Sequence, residues 1–145
     1  MILADEAATR ALGARLAARL RPGDIVTLSG ALGAGKTTLA RGLIAALGHE
    51  GEVPSPSFAL VQPYDALNLP LWHADLYRLD DPAELDELGL ETVLADGALL
   101  VEWPEHGGAN AFPGALRLAF HEAPGGARRL TAQVPAAWED RWPPQ

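Results

Sequence analysis

At 145 residues, 48 % apolar and 21 % charged, the chain has the proportions of one domain with a single core. Eleven basic against nineteen acidic residues leave a net charge of −8, poorly suited to holding nucleic acid alone, and the lack of cysteine excludes disulfides, cysteine-ligated zinc and thiol nucleophiles. No apolar run approaches the about 18–20 residues of a membrane span, and the opening MILADEAATR has no signal-peptide pattern, so a soluble, cytoplasmic protein without a membrane partner is expected.

Ala8, Leu12, Leu16 and Leu20 recur at near-helical spacing behind Asp5, a potential N-cap, and Pro22-Gly23-Asp24 breaks the pattern. A β-branched run, Ile25 to Leu28, predicts a strand that ends at Gly30. Helical spacing then holds from Lys36 to Leu47, with Gly48 suited to the C-terminal cap. VPSPSFALVQPY begins as a rigid turn and becomes extended, LWHADLYRL is a second strand turning near Asp75, and Asp65 to Pro70 connects the two as a hairpin. Short helical pieces are expected after Asp81-Pro82. Ala98 to Val101 reads as a buried strand with Glu102 at its carboxyl end. ALRLAFHEAPGGARRLTAQV alternates on both sides of Pro124-Gly125-Gly126 and predicts a C-terminal hairpin, with an irregular tail after it. The expected class is α/β: one domain over 1–145, a P-loop NTPase-like mixed sheet flanked by helices, with antiparallel additions and the C-terminal hairpin.

Gly30 to Thr37 spells G-x-x-x-x-G-K-[ST] between the predicted strand and helix, the context this pattern requires. Glycines let successive N–H groups turn inward, and the helix N-terminus behind them favours anionic oxygens. Lys36, the one lysine in the chain, would bring a positive charge to the β- and γ-phosphates, and the Thr37 hydroxyl would bind Mg²⁺. A second metal anchor is expected at the end of a neighbouring strand, where Glu102 and Asp75 qualify. Either acid could instead position the attacking water, or remain a strand-end acid, a cap or a salt-bridge partner. Ser55 and Ser57, held extended by prolines, form a switch-like segment or a plain turn. His73 reads as structural. Trp103, next to Glu102, either shields the site or belongs to the core.

GALGAGKTT, VPSPSF, HADLYRL and VEWPE, in this order, resemble the TsaE family (also called YjeE), as does DEAATRALGARLA at the start. The resemblance spans about Asp5 to Glu105. It implies a Mg²⁺-dependent P-loop ATPase, slow alone, needed for N6-threonylcarbamoyladenosine synthesis on tRNA beside the anticodon. Its implied partners are the TsaB and TsaD proteins, with tRNA reached through the complex. Carried over by position, Gly33, Ala34, Gly35, Lys36, Thr37 and Thr38 would hold the phosphates of ATP or ADP. Thr37 and Glu102 would serve the metal, and Asp75 would be catalytic or metal-organising, beside Lys36 and Glu102. Thr9, Ser57, Trp103 and Arg128 would lie against the nucleotide, although Ser57 stands where the family usually has threonine.

Two other readings share the loop. A small-molecule kinase needs an acceptor pocket and usually an arginine-rich lid, and Arg128-Arg129 is the only adjacent basic pair. A nucleotide-gated adaptor would order residues Val53 to Phe58 on binding, with hydrolysis incidental. The partner surface is open among the Pro54–Phe58 turn, Leu85–Leu94 and the tail with Trp138 and Trp142.

Overall fold

The computed structural model describes residues 1–56 and 60–145. Its frame is a seven-stranded mixed sheet in the order β1-β7-β6-β2-β5-β4-β3. The strands are β1 (Ile2–Leu3), β2 (Ile25–Ser29), β3 (Val61–Tyr64), β4 (Leu71–Asp75), β5 (Ala98–Glu102), β6 (Leu116–Glu122) and β7 (Arg128–Gln133). The four central strands, β6, β2, β5 and β4, run parallel, while β3, β7 and β1 add antiparallel edges. The expected α/β class, the 65–70 hairpin connection and the C-terminal hairpin are all present.

Two helices cover one face of this sheet, α1 (Glu6–Ala17) and α2 (Lys36–Ala46). Leu12, Leu16, Leu39, Leu43 and Ile44 pack there against Val26, Leu28, Leu100, Leu118 and Phe120. The other face of β4 and β5 is covered by Leu79 and by 3₁₀ turns at Pro82–Leu88 and Leu90–Ala95, through Leu85, Leu88, Leu90 and Val93. Strand β5 is therefore buried on both faces, which is why ALLV reads as a continuous apolar run rather than an alternating one.

The helices approach closely because each sets a glycine against the backbone of the other. A Cβ on Gly13 would lie 2.8 Å from the Leu43 nitrogen, and one on Gly42 would fall on the Arg10 carbonyl, 2.9 Å from its carbon. Asp5 caps α1 as expected, accepting from the Ala8 amide at 2.8 Å. The helix ends sooner than the leucine spacing predicts. Arg19 and Leu20 donate to the Leu16 and Ala17 carbonyls, a tightening last turn, and Leu20 packs against the core from beyond the helix.

The tail departs most from its expectation. A 3₁₀ turn at Ala136–Trp138 buries Trp138 at 1 % exposure. Arg141 stacks 3.9 Å from that ring and pairs with Asp24 at 2.6 and 3.0 Å, while also donating to the Arg19 carbonyl. Trp138 is thus core, and does not offer a surface to a partner. Among the described residues, no helix is long and apolar enough to cross a membrane.

Candidate active site

The carboxyl ends of β2, β4 and β5 open on the same edge of the parallel core, and the residues just past them form the site. After Ser29 the chain turns at Gly30, where a Cβ would meet the Phe120 carbonyl oxygen at 2.8 Å. It re-enters helix at Gly35, whose φ of 114° lies in the left-handed region open to glycine. The first turn of α2 has no side-chain cap, so its amides face the loop with their donors available to an anion.

Lys36 is 4 % exposed. Its ammonium donates to the Gly30 carbonyl and, at 3.0 Å, to the Ala31 carbonyl, and sits 4.0 Å from the centre of the Trp103 ring. Burial pulls its pKa below the ordinary lysine value, against the opposing pull of the Glu102, Glu105 and Asp75 carboxylates. Trp103 takes this place through a left-handed backbone, φ 56°, and is tilted against Tyr77 and His106 with ring centres 4.9 and 5.4 Å away. It is half-buried and packs against the cluster under β4 and β5, so it both lines the cleft and supports the core.

The parallel register pairs Asp75 on β4 with Glu102 on β5. Glu102, at 2 % exposure, is no solvated strand-end acid. One carboxylate oxygen, Oε1, accepts from the Thr37 hydroxyl at 3.1 Å, and the other, Oε2, lies 2.6 Å from His73 Nε2. Asp75, at 4 % exposure, accepts from the Tyr77 amide at 2.9 Å. A cleft of about 190 Å³ is lined by residues 32–38 together with Ser55, Asp75, Glu102 and Trp103. A second hollow of about 270 Å³ shares Gly33, Gly35 and Thr38 with it and is closed by Asp5, Glu6, Thr9, Gly126 and Arg128.

The structure therefore gathers Gly33, Ala34, Gly35, Lys36, Thr37, Thr38, Asp75, Glu102 and Trp103 around one cleft, and places Thr9 and Arg128 in the adjoining hollow. Thr9 is buried and donates to the Asp5 carbonyl at 3.3 Å. Arg128 reaches across from the hairpin and donates to the Gly33 and Ala34 carbonyls, both at 3.0 Å, so its first task is to brace the loop. Ser57, expected in the switch segment, lies outside the described residues. A larger hollow of about 460 Å³ opens on the other face, between β6, β7 and residues 104–109, but it has neither the loop nor the paired acids.

Among the described residues, no group of three or more His, Cys, Asp or Glu side chains could hold a metal by itself. Thr37 and Glu102 together offer adjacent hard oxygen atoms, a donor set suited to a small divalent cation that completes its shell with water or phosphate. His73 is the contact that sequence reasoning passed over: it read as structural, yet its ring nitrogen meets Glu102.

The sequence model of the family described as "Threonylcarbamoyl adenosine biosynthesis protein TsaE" matches residues 3–130. The chain belongs to this family. It is 45 % identical over 119 residues to the tRNA threonylcarbamoyladenosine biosynthesis protein TsaE of Streptomyces coelicolor, a match covering 80 % of each protein. The protein of the same name from Rickettsia felis is 44 % identical over 106 residues, which cover 72 % of this chain and 62 % of that protein. In three dimensions the chain is similar to the crystal structure of Bacillus subtilis YdiB, with a TM-score of 0.78 and 30 % identity, over 97 % of this chain and 87 % of YdiB. The family membership expected from HADLYRL and VEWPE is thus established, and with it the α/β fold.

Proposed function

We propose that this chain binds and hydrolyses ATP as the nucleotide-driven subunit of threonylcarbamoyladenosine modification of tRNA beside the anticodon, in the cytoplasm. It would cycle a complex of the TsaB and TsaD proteins and meet tRNA only through them, consistent with a net charge of −8. The observation that carries the hydrolytic reading is the contact between the Thr37 hydroxyl and Glu102, at the mouth of an uncapped helix that also presents Lys36.

On this reading the α2 amides and Lys36 bind the β- and γ-phosphates, Lys36 exchanging its contacts with the Gly30 and Ala31 carbonyls for phosphate oxygens. Thr37 and Glu102 hold Mg²⁺, which fits their oxygen atoms and neutralises charge on the phosphates when bound. Asp75, one strand further from the loop, orients the attacking water. Trp103 screens the lysine from bulk solvent. Thr9 and Arg128 border the hollow that would take the nucleoside. Lys36 is the one cation lining the cleft among the described residues, so isolated turnover is expected to be slow until partners complete the site.

The decisive assay is ATP turnover with and without the TsaB–TsaD pair, alongside calorimetric titration of Lys36→Ala. Faster turnover with partners, and loss of ATP binding in the variant, are expected. Wild-type affinity in Lys36→Ala would defeat the phosphate role, and turnover and tRNA modification indifferent to the pair would defeat the cycling role. One observation favours the adaptor reading: Arg41 holds the Val53 carbonyl at 3.1 Å while Ser55 lines the cleft, so nucleotide could be felt along this segment. Normal tRNA modification by a Glu102→Ala variant that binds ATP without hydrolysing it would favour that reading.

A further inference from the structure

We propose that His73 is a positioning residue for Glu102, holding the carboxylate in the plane that lets Oε1 face Thr37; the inference rests on the metal-side role given to Glu102 above. His73 has no exposed surface and sits on β4 two residues before Asp75, on the sheet face that looks toward α2. Its Nε2 lies 2.6 Å from Glu102 Oε2, and for Glu102 to serve the metal as a carboxylate this oxygen must accept, which assigns the proton to Nε2 within the proposal. Nδ1 is buried and has no hydrogen-bond partner among the described residues. The Nε2–H tautomer therefore leaves a lone pair unmatched at Nδ1, whereas the opposite tautomer would bury an orphan N–H and set two acceptors against each other at 2.6 Å.

Glu102 ends β5 with a side chain of three rotatable bonds. The Thr37 hydroxyl alone fixes one oxygen and leaves the carboxylate free to turn about that contact. Anchoring the second oxygen on a ring that is itself immobilised inside the sheet fixes the plane. Groups that hold a metal-side ligand in this way typically contribute about 10–100-fold to metal affinity or activity. Among the described residues the imidazole hydrogen-bonds to Glu102 and not to the loop or Thr37, so its influence passes through Glu102.

The test compares His73→Phe, which keeps a ring and removes the donor, with His73→Gln, whose amide nitrogen falls near the place of Nε2. Three readouts are needed: thermal unfolding, the Mg²⁺ concentration for half-maximal tightening of ATP binding, and kcat against KM. In His73→Phe we expect folded protein, Mg²⁺-free ADP binding within about twofold of wild type, and a loss of about 10–100-fold in Mg²⁺ affinity or kcat. His73→Gln is expected to recover most of that loss. Unchanged Mg²⁺ dependence and kcat in a folded His73→Phe, or equal failure of a folded His73→Gln, would overturn the proposal. Imidazole ¹⁵N–¹H spectra of the wild type decide the matter even if both variants unfold: an Nε2–H signal slow to exchange supports it, and an Nδ1–H tautomer refutes it. A wild type without Mg²⁺-dependent turnover would refute the ATPase reading instead, and the tautomer and the Mg²⁺ dependence of binding would still judge His73.

Discussion

Replacing Gly42 by alanine tests whether the contact between α1 and α2 is what sets the phosphate loop against its acids. By helix propensity alone the change should stabilise α2 by about 1 kcal/mol. The structure predicts the opposite sign. The new Cβ would overlap the Arg10 carbonyl oxygen, and would stand 2.9 Å from the carbonyl carbon and 3.0 Å from Cα, all of it backbone that no rotamer change can move aside. Relief needs the helices to part by roughly 1 Å, to reach the separations at which carbon atoms pack. Parting them loosens Leu12, Leu16, Leu39 and Leu43, which are fully buried in the shared core. Overpacking of this kind costs about 1–3 kcal/mol, and an overlap with fixed backbone belongs at the upper end, so a net loss of about 1–2 kcal/mol is expected after the propensity gain is deducted. For a domain of this size that corresponds to a fall in Tm of roughly 3–7 °C. Urea unfolding followed by tryptophan fluorescence gives the free energy. Because α2 begins with Lys36 and Thr37, ATP binding should weaken in the same variant. A Gly42→Ala protein as stable as wild type, or more so, would refute the claim that close backbone approach fixes α2.

Removing Arg128 should loosen the loop it braces: Arg128→Ala is expected to weaken ATP binding by about tenfold by calorimetry, in line with the loss of two charge-assisted hydrogen bonds in a half-exposed setting. Arg128→Lys should recover little, since one ammonium does not reproduce the guanidinium fork across two carbonyls. Tyr64 carries a buried hydroxyl without a partner among the described residues, and burial raises its pKa above the ordinary tyrosine value. Its folded pKa being the higher one, its contribution to stability is full below about pH 10 and is lost as pH rises through the folded value. Tyr64→Phe should change stability by less than about 1 kcal/mol at pH 7 and should flatten the alkaline loss in denaturant unfolding between pH 9 and 11.

What the sequence disclosed about the site was local or apolar. The loop from Gly30 to Thr37 is legible because one continuous segment contains the strand end, the turn and the helix start. Glu102 is legible because a parallel strand buried on both faces ends in an acid. The contacts that were hidden join residues far apart in the chain, and their register is decided by packing. His73 meets Glu102 across 29 positions, Arg128 reaches Gly33 across 95, and Arg141 reaches Asp24 across 117. Gly13 and Gly42 carry no signal in the sequence, since nothing local to either helix shows that another backbone passes against it. The tail looked irregular because its order comes from Asp24 and the Arg19 carbonyl and hardly from its own spacing.

Strand order also bears on how the two acids divide their work. Neighbouring strands lie about 4.8 Å apart, so β5 is one step from β2 and β4 is two. Glu102, at the end of β5, is within a single side-chain length of the helix that follows β2, and it touches Thr37. Asp75 lies directly beside Glu102 in register but about 10 Å from β2 by this spacing, on the outer wall of the same cleft. An acid at that distance is badly placed to share the Thr37 hydroxyl and well placed to meet a water approaching the far end of a phosphate chain that starts at the loop. The spacing therefore supports giving the metal to Glu102 and the water to Asp75, a division that neither acid's place in the sequence implies. It also explains why an imidazole inside β4 can serve Glu102: His73 and Asp75 point to the same side of the sheet, so one strand supplies both the outer acid and the support for the inner one.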